Sequence, residues 1–169
     1  MYSGFWKRLR AFIWDYVLIS AYILIITVIF WLLPFSQQFF ADRIQAQLSV
    51  FFVLTFPIIL YFSIFESSSK QGTWGKRKTK LITTGDNGDP VSFPRSFART
   101  VLKLIPWELS HTLIWEIRFD SHVDPTLISI GFGVVYLLVG LNIASLIMTK
   151  KHQTLYDLIT KTCVVYKNQ

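Results

Sequence analysis

The sequence predicts an all-α, polytopic membrane protein: a helical bundle with four crossings, one of them short and irregular, and a small cytoplasmic β-hairpin. Two observations support this fold class. Of the 169 residues, 52% are apolar and 16% are charged, whereas about 25% of the residues of a soluble domain are charged. In addition, 15 of the 17 Lys and Arg residues lie in three segments that flank the apolar stretches.

The positions of the basic residues predict the topology. They lie near the N-terminus (7–10), in a central connection (70–103) and in the tail (150–167). Since Lys and Arg collect on the cytoplasmic side of membrane segments, we expect all three regions and both termini in the cytoplasm. An even number of crossings follows, with only Arg43 and Arg118 on the other side.

Three apolar stretches account for three of the predicted crossings. A helix needs about 20 predominantly apolar residues to cross the hydrocarbon layer. The stretch 11–33 contains Asp15 as its only charge and precedes Pro34, and the stretches 48–65 and 126–148 contain no charge. We expect a kink in the second stretch at Pro57, which a membrane helix tolerates.

The fourth crossing is assigned to the stretch 101–117, which is short for a span. It contains Pro106 and the ionisable residues Lys103, Glu108, His111 and Glu116. A tilted, irregular crossing keeps the tail on the cytoplasmic side. The alternative is a re-entrant segment that does not cross, which would place the tail outside.

The connection 66–100 is predicted to be cytoplasmic and partly structured. Residues 78–84 are typical of a strand, and residues 85–90 are rich in turn formers. We expect a hairpin in which 91–93 form the return strand, and the β-branched tail 162–166 could add a third strand. The whole chain, 1–169, is predicted to be a single membrane domain.

Three short motifs resemble those of one known family of membrane proteins. They are RLRAFIWD at 8–15, QGTWGKR at 71–77 and QTLYDLI at 153–159. In this order, on this hydropathy pattern, they resemble the RDD family, which is named for one Arg and two Asp. The matching residues here are Arg8, Asp15 and Asp157. Some members are considered cation/proton antiporters, so the resemblance implies transport of a small cation coupled to protons.

Asp15 is the first candidate for an ion or proton pathway. Arg8 and Asp15 lie two turns apart on one helix face, about 10 Å along the axis, so we expect each to find its partner on another segment. Asp157 is the expected partner of Arg8. Two readings of Asp15 stay open: it binds a cation or proton at the cytoplasmic mouth of a pathway, or it pairs structurally.

Glu108 and His111 form the second candidate site. At i and i+3 they share one helix face, and the imidazole titrates near neutral pH. The pair could relay protons, or it could be the wet polar face of an interfacial segment. Asn142 is a lone polar residue in the last span, and we expect it to form an interhelical hydrogen bond.

Several classes of function are disfavoured by the sequence. Cys163 is the only cysteine, which excludes an internal disulfide, and two ligands do not make a zinc site. The stretch 72–76 lacks the spacing of a phosphate loop, so it is expected to be a turn that presents Lys76 and its neighbours to lipid headgroups or tail acids. No nucleophile and base stand together. We therefore expect no enzyme, no cofactor, no metal and no nucleic-acid partner.

The expected setting is a bacterial cell membrane, which the chain crosses several times. The formal charge of +7 suits anionic headgroups at the cytoplasmic face. Expected partners are these lipids, small cations or protons, and further copies of the chain, since one four-helix unit is thin for enclosing a pathway. The alternative function is a membrane adaptor that does not transport but assembles or protects a partner protein.

Overall fold

The computed structural model describes residues 1–120 and 122–167. Ser121, Asn168 and Gln169, which the predicted single domain includes, lie outside the described residues. The elements in chain order are α1 (Phe5–Leu32), a 3₁₀ turn (Ser36–Phe40), α2 (Arg43–Val50), a wide π-helical turn (Phe51–Thr55), α3 (Phe56–Ser67), α4 (Trp74–Lys78), β1 (Leu81–Gly85), α5 (Phe93–Arg118), α6 (Pro125–Met148), α7 (Leu155–Ile159) and β2 (Thr162–Tyr166).

Three helical segments of the described chain are long and apolar enough to cross a membrane. They are α1, the continuous segment Arg43–Ser67 that contains α2 and α3, and α6. Three predicted spans are thus confirmed as long apolar helices, although each extends beyond the predicted bounds. Below, "basic end" denotes the end of the bundle where α1 and α5 begin and where α3 and α6 end.

A proline shapes the middle of the second long segment. Pro57 has no N–H to donate to the carbonyl of Val53, one turn earlier, and the preceding turn Phe51–Thr55 widens to a π-helical turn. The hydroxyl of Tyr22 on α1 donates to that carbonyl instead. A neighbouring helix thus satisfies the backbone group that the proline leaves without a donor, as membrane helices require.

The fourth predicted span was expected to be short and irregular, and this was wrong. Residues 101–117 belong to α5, a continuous helix of 26 residues, which is about 39 Å long at 1.5 Å per residue. Pro94 lies in its first turn, where proline is favoured, and Pro106 is tolerated inside it. The helix is long enough to cross, but it is more polar than the three apolar segments.

The polar face of α5 runs along the second long segment in the opposite direction. Four side-chain contacts mark this path from the basic end to the far end: Arg99 with Glu66, Glu108 with Thr55, Thr112 with Gln47, and Glu116 with Arg43. Each polar residue of α5 in this series thus meets a polar partner on the neighbouring segment. Helix α5 therefore accompanies Arg43–Ser67 over nearly its full length.

The small sheet differs from the predicted hairpin. Strands β1 and β2 pair antiparallel, with Leu81 opposite Tyr166 and Gly85 opposite Thr162. The predicted return strand 91–93 does not form, since α5 begins at Phe93 and only a single bridge joins Thr84 to Pro90. The expected contribution of the tail is confirmed, although the tail is the direct partner of β1 and not a third strand. The backbone N–H of Ser3 also donates to the carbonyl of Val164 at 2.9 Å.

The described chain buries little of its apolar surface. Two small clusters form its core, one of Ala11, Leu81 and Val164 at the basic end and one of Ile19, Ile58 and Phe62 between α1 and α3. In the most apolar 18-residue window of each segment, only 6 to 22% of the residues are buried, and most side chains of α1 and α6 are exposed. An outward apolar surface of this extent requires lipid or other protein around it.

Candidate functional site at the basic end of the bundle

The carboxylate of Asp15 joins three helices. Its side chain is buried (2% exposed), and it accepts hydrogen bonds from the Thr73 hydroxyl at 2.6 Å, the Gly75 backbone N–H at 2.7 Å and the Tyr61 hydroxyl at 2.9 Å. In residues 1–120 and 122–167, no Lys or Arg nitrogen lies within ion-pair distance of it. Asp15 is thus a buried acid whose described partners are all neutral donors.

Five other charged residues form a chain of alternating sign at the same end, which we call the buried charge network. It runs from Arg8 through Asp157, Arg99 and Glu66 to Lys76, and each of its four links contains an N–O distance of 2.7 Å. Asp157 and Glu66 are fully buried. Asp157 pairs with Arg8 and Arg99, and Glu66 pairs with Arg99 and Lys76. The network joins α1, α3, α4, α5 and α7 in one electrostatic unit.

The local sequence around Asp157 explains its position. Thr154 caps the N-terminus of α7 by accepting from the Asp157 backbone N–H, and the Asp157 carboxylate accepts a hydrogen bond from the Thr154 backbone N–H, which completes a capping box. This reciprocal arrangement turns the carboxylate towards the two arginines. Arg8 also donates to the backbone carbonyl of Ser3 at 3.1 Å, so the N-terminal segment and the tail are held together. The predicted pairing of Arg8 with Asp157 is confirmed at 2.7 Å.

The network keeps Asp157 and Arg99 ionised. Burial alone would raise the pKa of Asp157, but Arg99 and Arg8 outweigh it and hold that pKa well below its usual range. Burial alone would likewise lower the pKa of Arg99, but Asp157 and Glu66 raise it. Both groups are therefore charged at any physiological pH.

Lys76 responds differently to the same surroundings. Burial lowers the pKa of its ammonium group, and the attraction of Glu66 only partly opposes this, while the nearby Arg99 adds to the lowering. Its Nζ atom donates to Glu66 at 2.7 Å and to the Thr83 hydroxyl at 2.6 Å. The pKa of Lys76 is therefore lowered, whereas that of Arg99 in the same network is raised.

A cavity of about 550 Å³ lies beside this cluster, between α1, α5 and α6. Arg8, Asp15, Lys76 and Arg99 line it at the basic end. Lys103, one turn beyond Arg99 on α5, adds a further cation to its wall. Asp15 is therefore both hydrogen-bonded on three sides and adjacent to open space.

Glu108 and His111 lie elsewhere. They are neighbours, as their spacing predicts, with His111 Nδ1 3.8 Å from a carboxylate oxygen of Glu108. Glu108 accepts a hydrogen bond from Thr55 on the α3 side of α5, and neither residue lines the cavity beside Asp15. The five predicted site residues thus fall into three places: the Arg8–Asp157 pair, Asp15 with its donors, and this pair further along α5.

Sequence reasoning missed Glu66, Lys76 and Arg99. Lys76 was expected to face headgroups or tail acids, and this was wrong: its side chain is 12% exposed and pairs with Glu66 on α3. Its neighbours Arg77 and Lys78 are exposed. A carboxylate directly after an uncharged span was a usable signal for Glu66, because such an acid needs a cationic partner when its helix end is covered.

Asn142 also departs from expectation. Its amide donates to the carbonyl of Leu138 in the same helix at 2.8 Å, and its Oδ1 atom is buried with no hydrogen-bond partner in the described part of the chain. The predicted interhelical hydrogen bond is thus not formed. Asn142 lines the same cavity as Asp15.

Comparison with known proteins gives one match. The model of the RDD family matches residues 2–161, nearly the whole chain. No curated protein matches, and no solved structure matches. Within the described residues, no group of three or more His, Cys, Asp or Glu side chains is arranged to hold a metal ion.

Proposed function

We propose, from the premise that the chain belongs to the RDD family of membrane proteins, that it exchanges a small cation for protons across the membrane. Asp15 is the exchanging carboxylate in this proposal, and Arg8 and Asp157 tune its surroundings. The single observation that carries the proposal is the set of neutral donors around Asp15, next to a cavity.

Neutral hydroxyl donors favour exchange because their oxygen atoms can also bind a cation. The hydroxyls of Tyr61 and Thr73 now donate to Asp15, but each also carries lone pairs that can bind a cation. With the carboxylate they form a set of oxygen atoms, the ligand type that hard cations prefer. A carboxylate paired with an arginine, as Asp157 is, offers no such vacancy because the guanidinium already neutralises it.

The charge balance of the cluster supports one exchangeable charge at Asp15. The buried charge network contains three cations and two carboxylates, so an ionised Asp15 neutralises its excess. A proton on Asp15 and a monovalent cation bound to it each add one positive charge to the cluster. The cluster is therefore expected to accept only one of them at a time, so proton and cation compete for the carboxylate.

The path of α5 supports four crossings with both termini in the cytoplasm. Helix α5 follows Arg43–Ser67 from Glu66 to Arg43 through four polar contacts, so a membrane that surrounds one segment surrounds the other. Polar residues in a membrane helix are tolerated where they face a partner helix, which accounts for the low hydropathy of α5. The exposed apolar faces of α1 and α6 favour assembly into a homo-oligomer.

Glu108 and His111 are a second ionisable site in the proposed pathway. Glu108 lies about 22 Å from the start of α5 and about 15 Å from its end, which places it deep in the membrane if α5 crosses. A carboxylate and an imidazole at this depth are suited to pass a proton. His111→Ala should change the pH dependence of flux. Unchanged pH dependence excludes the relay and leaves Asp15 as the only point of exchange.

The test is ion flux in vesicles that contain the purified protein. We expect a Na⁺ or K⁺ gradient to drive proton movement with the wild type and with Asp89→Asn, which removes an exposed acid. Asp15→Asn should abolish the movement. Wild-type flux in the Asp15→Asn vesicles would overturn the proposal.

Asp15→Asn is a fair test because the site can accept an amide. The Asn oxygen can take the hydrogen bonds of Gly75 and Tyr61, which both reach Oδ1 of Asp15. The amide nitrogen can then donate to the Thr73 hydroxyl, which rotates to accept. The thermal midpoint of the variant, measured in detergent, should therefore stay close to that of the wild type. A variant that does not fold would instead support a purely structural role for Asp15.

A membrane adaptor is the second candidate, and the exposed basic surface favours it. Nine cations at the basic end are exposed to solvent: Lys7, Arg10, Lys70, Arg77, Lys78, Lys80, Lys150, Lys161 and Lys167. The ion pairs of the buried charge network join the elements that carry these cations. The resulting basic surface is suited to an acidic protein partner. Vesicles without flux, together with a stable partner that dissociates at high salt, would favour this function.

A further inference from the structure

The cavity beside Asp15 has a second, apolar part. Away from the basic end it is lined by Phe12 on α1, by Leu104 and Trp107 on α5, and by Val135 and Val139 on α6. Trp107 and Val139 are 37% and 43% exposed. Apolar cavities stay dry because water finds no polar partners in them. The apolar wall between these three helices is therefore better suited to a hydrocarbon chain than to water.

Lys103 stands where this apolar part meets the charged end. Its Nζ atom lies 3.5 Å from the centre of the Phe62 ring, and its side chain lines the cavity. No carboxylate among the described residues lies within ion-pair distance of it. The aromatic contact stabilises the ammonium group in part, but it supplies no hydrogen-bond acceptor and no negative charge.

Lys103 is also the surplus charge of the whole cluster. The buried charge network and an ionised Asp15 are together neutral, so Lys103 leaves one uncompensated cation on the cavity wall. Inside or beside a membrane such a cation requires a counter-charge. The nearby acids already have partners, so an anion from outside the described chain would supply the counter-charge of Lys103.

Asn142 adds a polar atom, Oδ1, that has no hydrogen-bond partner among the described residues. Its Oδ1 atom is a buried acceptor on the α6 side of the cavity. The wall therefore presents a cation and an adjoining apolar surface, with Asn142 on its α6 side.

The size of the cavity limits what can fill it. Its volume of about 550 Å³ lies within the range of small-molecule sites. A membrane helix of another chain, about 10 Å wide and about 30 Å long, would need on the order of 2,400 Å³. A second copy of this chain can cover the opening but cannot enter it, whereas an acyl chain can.

We infer that this cavity is a binding site for one anionic phospholipid, with the phosphate at Lys103 and an acyl chain against Phe12, Trp107 and Val139. The inference is independent of ion exchange, since it concerns a resident lipid and not a transported ion. Lys is suited to phosphate as a compact charge. The phosphate would neutralise the charge of Lys103, and the acyl chain would fill the apolar part of the cavity and not the part beside Asp15.

The test uses the fluorescence of Trp107 and lipids with brominated acyl chains, which quench tryptophan on contact. The Trp107 signal is the difference between wild type and Trp107→Phe, both in mixed micelles. We expect brominated phosphatidylglycerol to quench this signal at a lower mole fraction than brominated phosphatidylcholine with the same chains. Lys103→Gln should weaken phosphatidylglycerol binding about five- to tenfold, since one such side chain contributes on the order of 1 kcal/mol.

Two variants separate this site from general surface attraction. Lys70→Gln removes an exposed cation at the same end and should leave the quenching curve unchanged. Val139→Trp should fill the cavity without changing any charge. Its readout is the shift in Tm on addition of phosphatidylglycerol, which we expect in the wild type and not in this variant. Equal quenching by the two lipids, an equal loss in Lys70→Gln, or a stronger response to brominated oleate than to phosphatidylglycerol would overturn the inference.

Discussion

Gly75 lies against the backbone of Ala11 with no space for a side chain. A Cβ atom on Gly75 would lie 2.0 Å from the carbonyl oxygen of Ala11 and 2.8 Å from the carboxyl carbon of Asp15. This close approach lets the backbone N–H of Gly75 reach Asp15 at 2.7 Å. The glycine is therefore a condition for the geometry of the candidate site, through backbone contact and not through flexibility.

Gly75→Ala should destabilise the protein and displace α4 from α1. The added methyl group meets backbone, which cannot rotate away, so we expect a loss of about 3 kcal/mol, the upper part of the range for overpacking. The measurement is the midpoint of unfolding in detergent. Gly133→Ala is the matched control because nothing lies within 4 Å of its added Cβ. It should leave the midpoint unchanged or raise it, since Ala favours a helix more than Gly does. Equal midpoints for the two variants would contradict the close packing.

Asp157→Asn should destabilise the protein more than the same substitution of an exposed acid does. The amide keeps the shape of the side chain, but Arg8 and Arg99 lose their shared negative charge. Breaking a buried pair by removing one partner costs about 3–5 kcal/mol, measurable as a fall in the denaturation midpoint. Asp89→Asn, at an exposed position, should have no effect. A loss below about 1 kcal/mol for Asp157→Asn would show that its two arginines find water or another acid.

The stabilisation by Asp157 should depend on pH in a defined direction. The two arginines lower its folded-state pKa, whereas an unfolded Asp titrates near pH 4. Its contribution is therefore complete above about pH 5 and disappears as the pH falls below about 4, through the folded pKa. The Tm difference between wild type and Asp157→Asn should stay constant from pH 7 to pH 5 and narrow only in stronger acid. A difference that already narrows between pH 7 and pH 5 would contradict the lowered pKa.

Tyr22 and Pro57 should be energetically coupled. Tyr22→Phe removes the donor to the Val53 carbonyl, and an unsatisfied buried acceptor costs about 1–3 kcal/mol. Pro57→Ala supplies an N–H that can bond the same carbonyl. In the Pro57→Ala background, Tyr22→Phe should therefore cost little. Tyr136→Phe, at an exposed tyrosine, is the control, and an equal cost of Tyr22→Phe in both backgrounds would exclude the coupling.

The three apolar spans were predictable because hydropathy is local. Pro34 ends α1 as expected, since the residue before a proline leaves the helical region. The pairing of Arg8 with Asp157 followed from two observations: the distance between Arg8 and Asp15 along one helix, and the position of Asp157 in the tail. These predictions needed only spacing and residue type.

The errors came from contacts between distant segments. The turn-rich stretch 85–90 suggested a local hairpin, but Pro94 favours a helix start there and the tail offers a longer β-branched partner. The burial of Lys76 depends on Glu66 and Arg99, which approach it only after α3, α4 and α5 have packed. The continuity of α5 was hidden by its ionisable residues. The partner of Glu116, Arg43, lies on α2, and the partner of Glu108, Thr55, lies in the π-helical turn before α3.

The most direct measurement of exchange at Asp15 is proton release on cation binding. The purified protein in detergent, at low buffer concentration, is mixed with NaCl or KCl while the pH is recorded. If cation and proton compete for this carboxylate, the wild type should release protons and Asp15→Asn should release none, with choline chloride as the salt control. Equal release from both proteins, or none from the wild type at any pH between 5 and 9, would contradict the account.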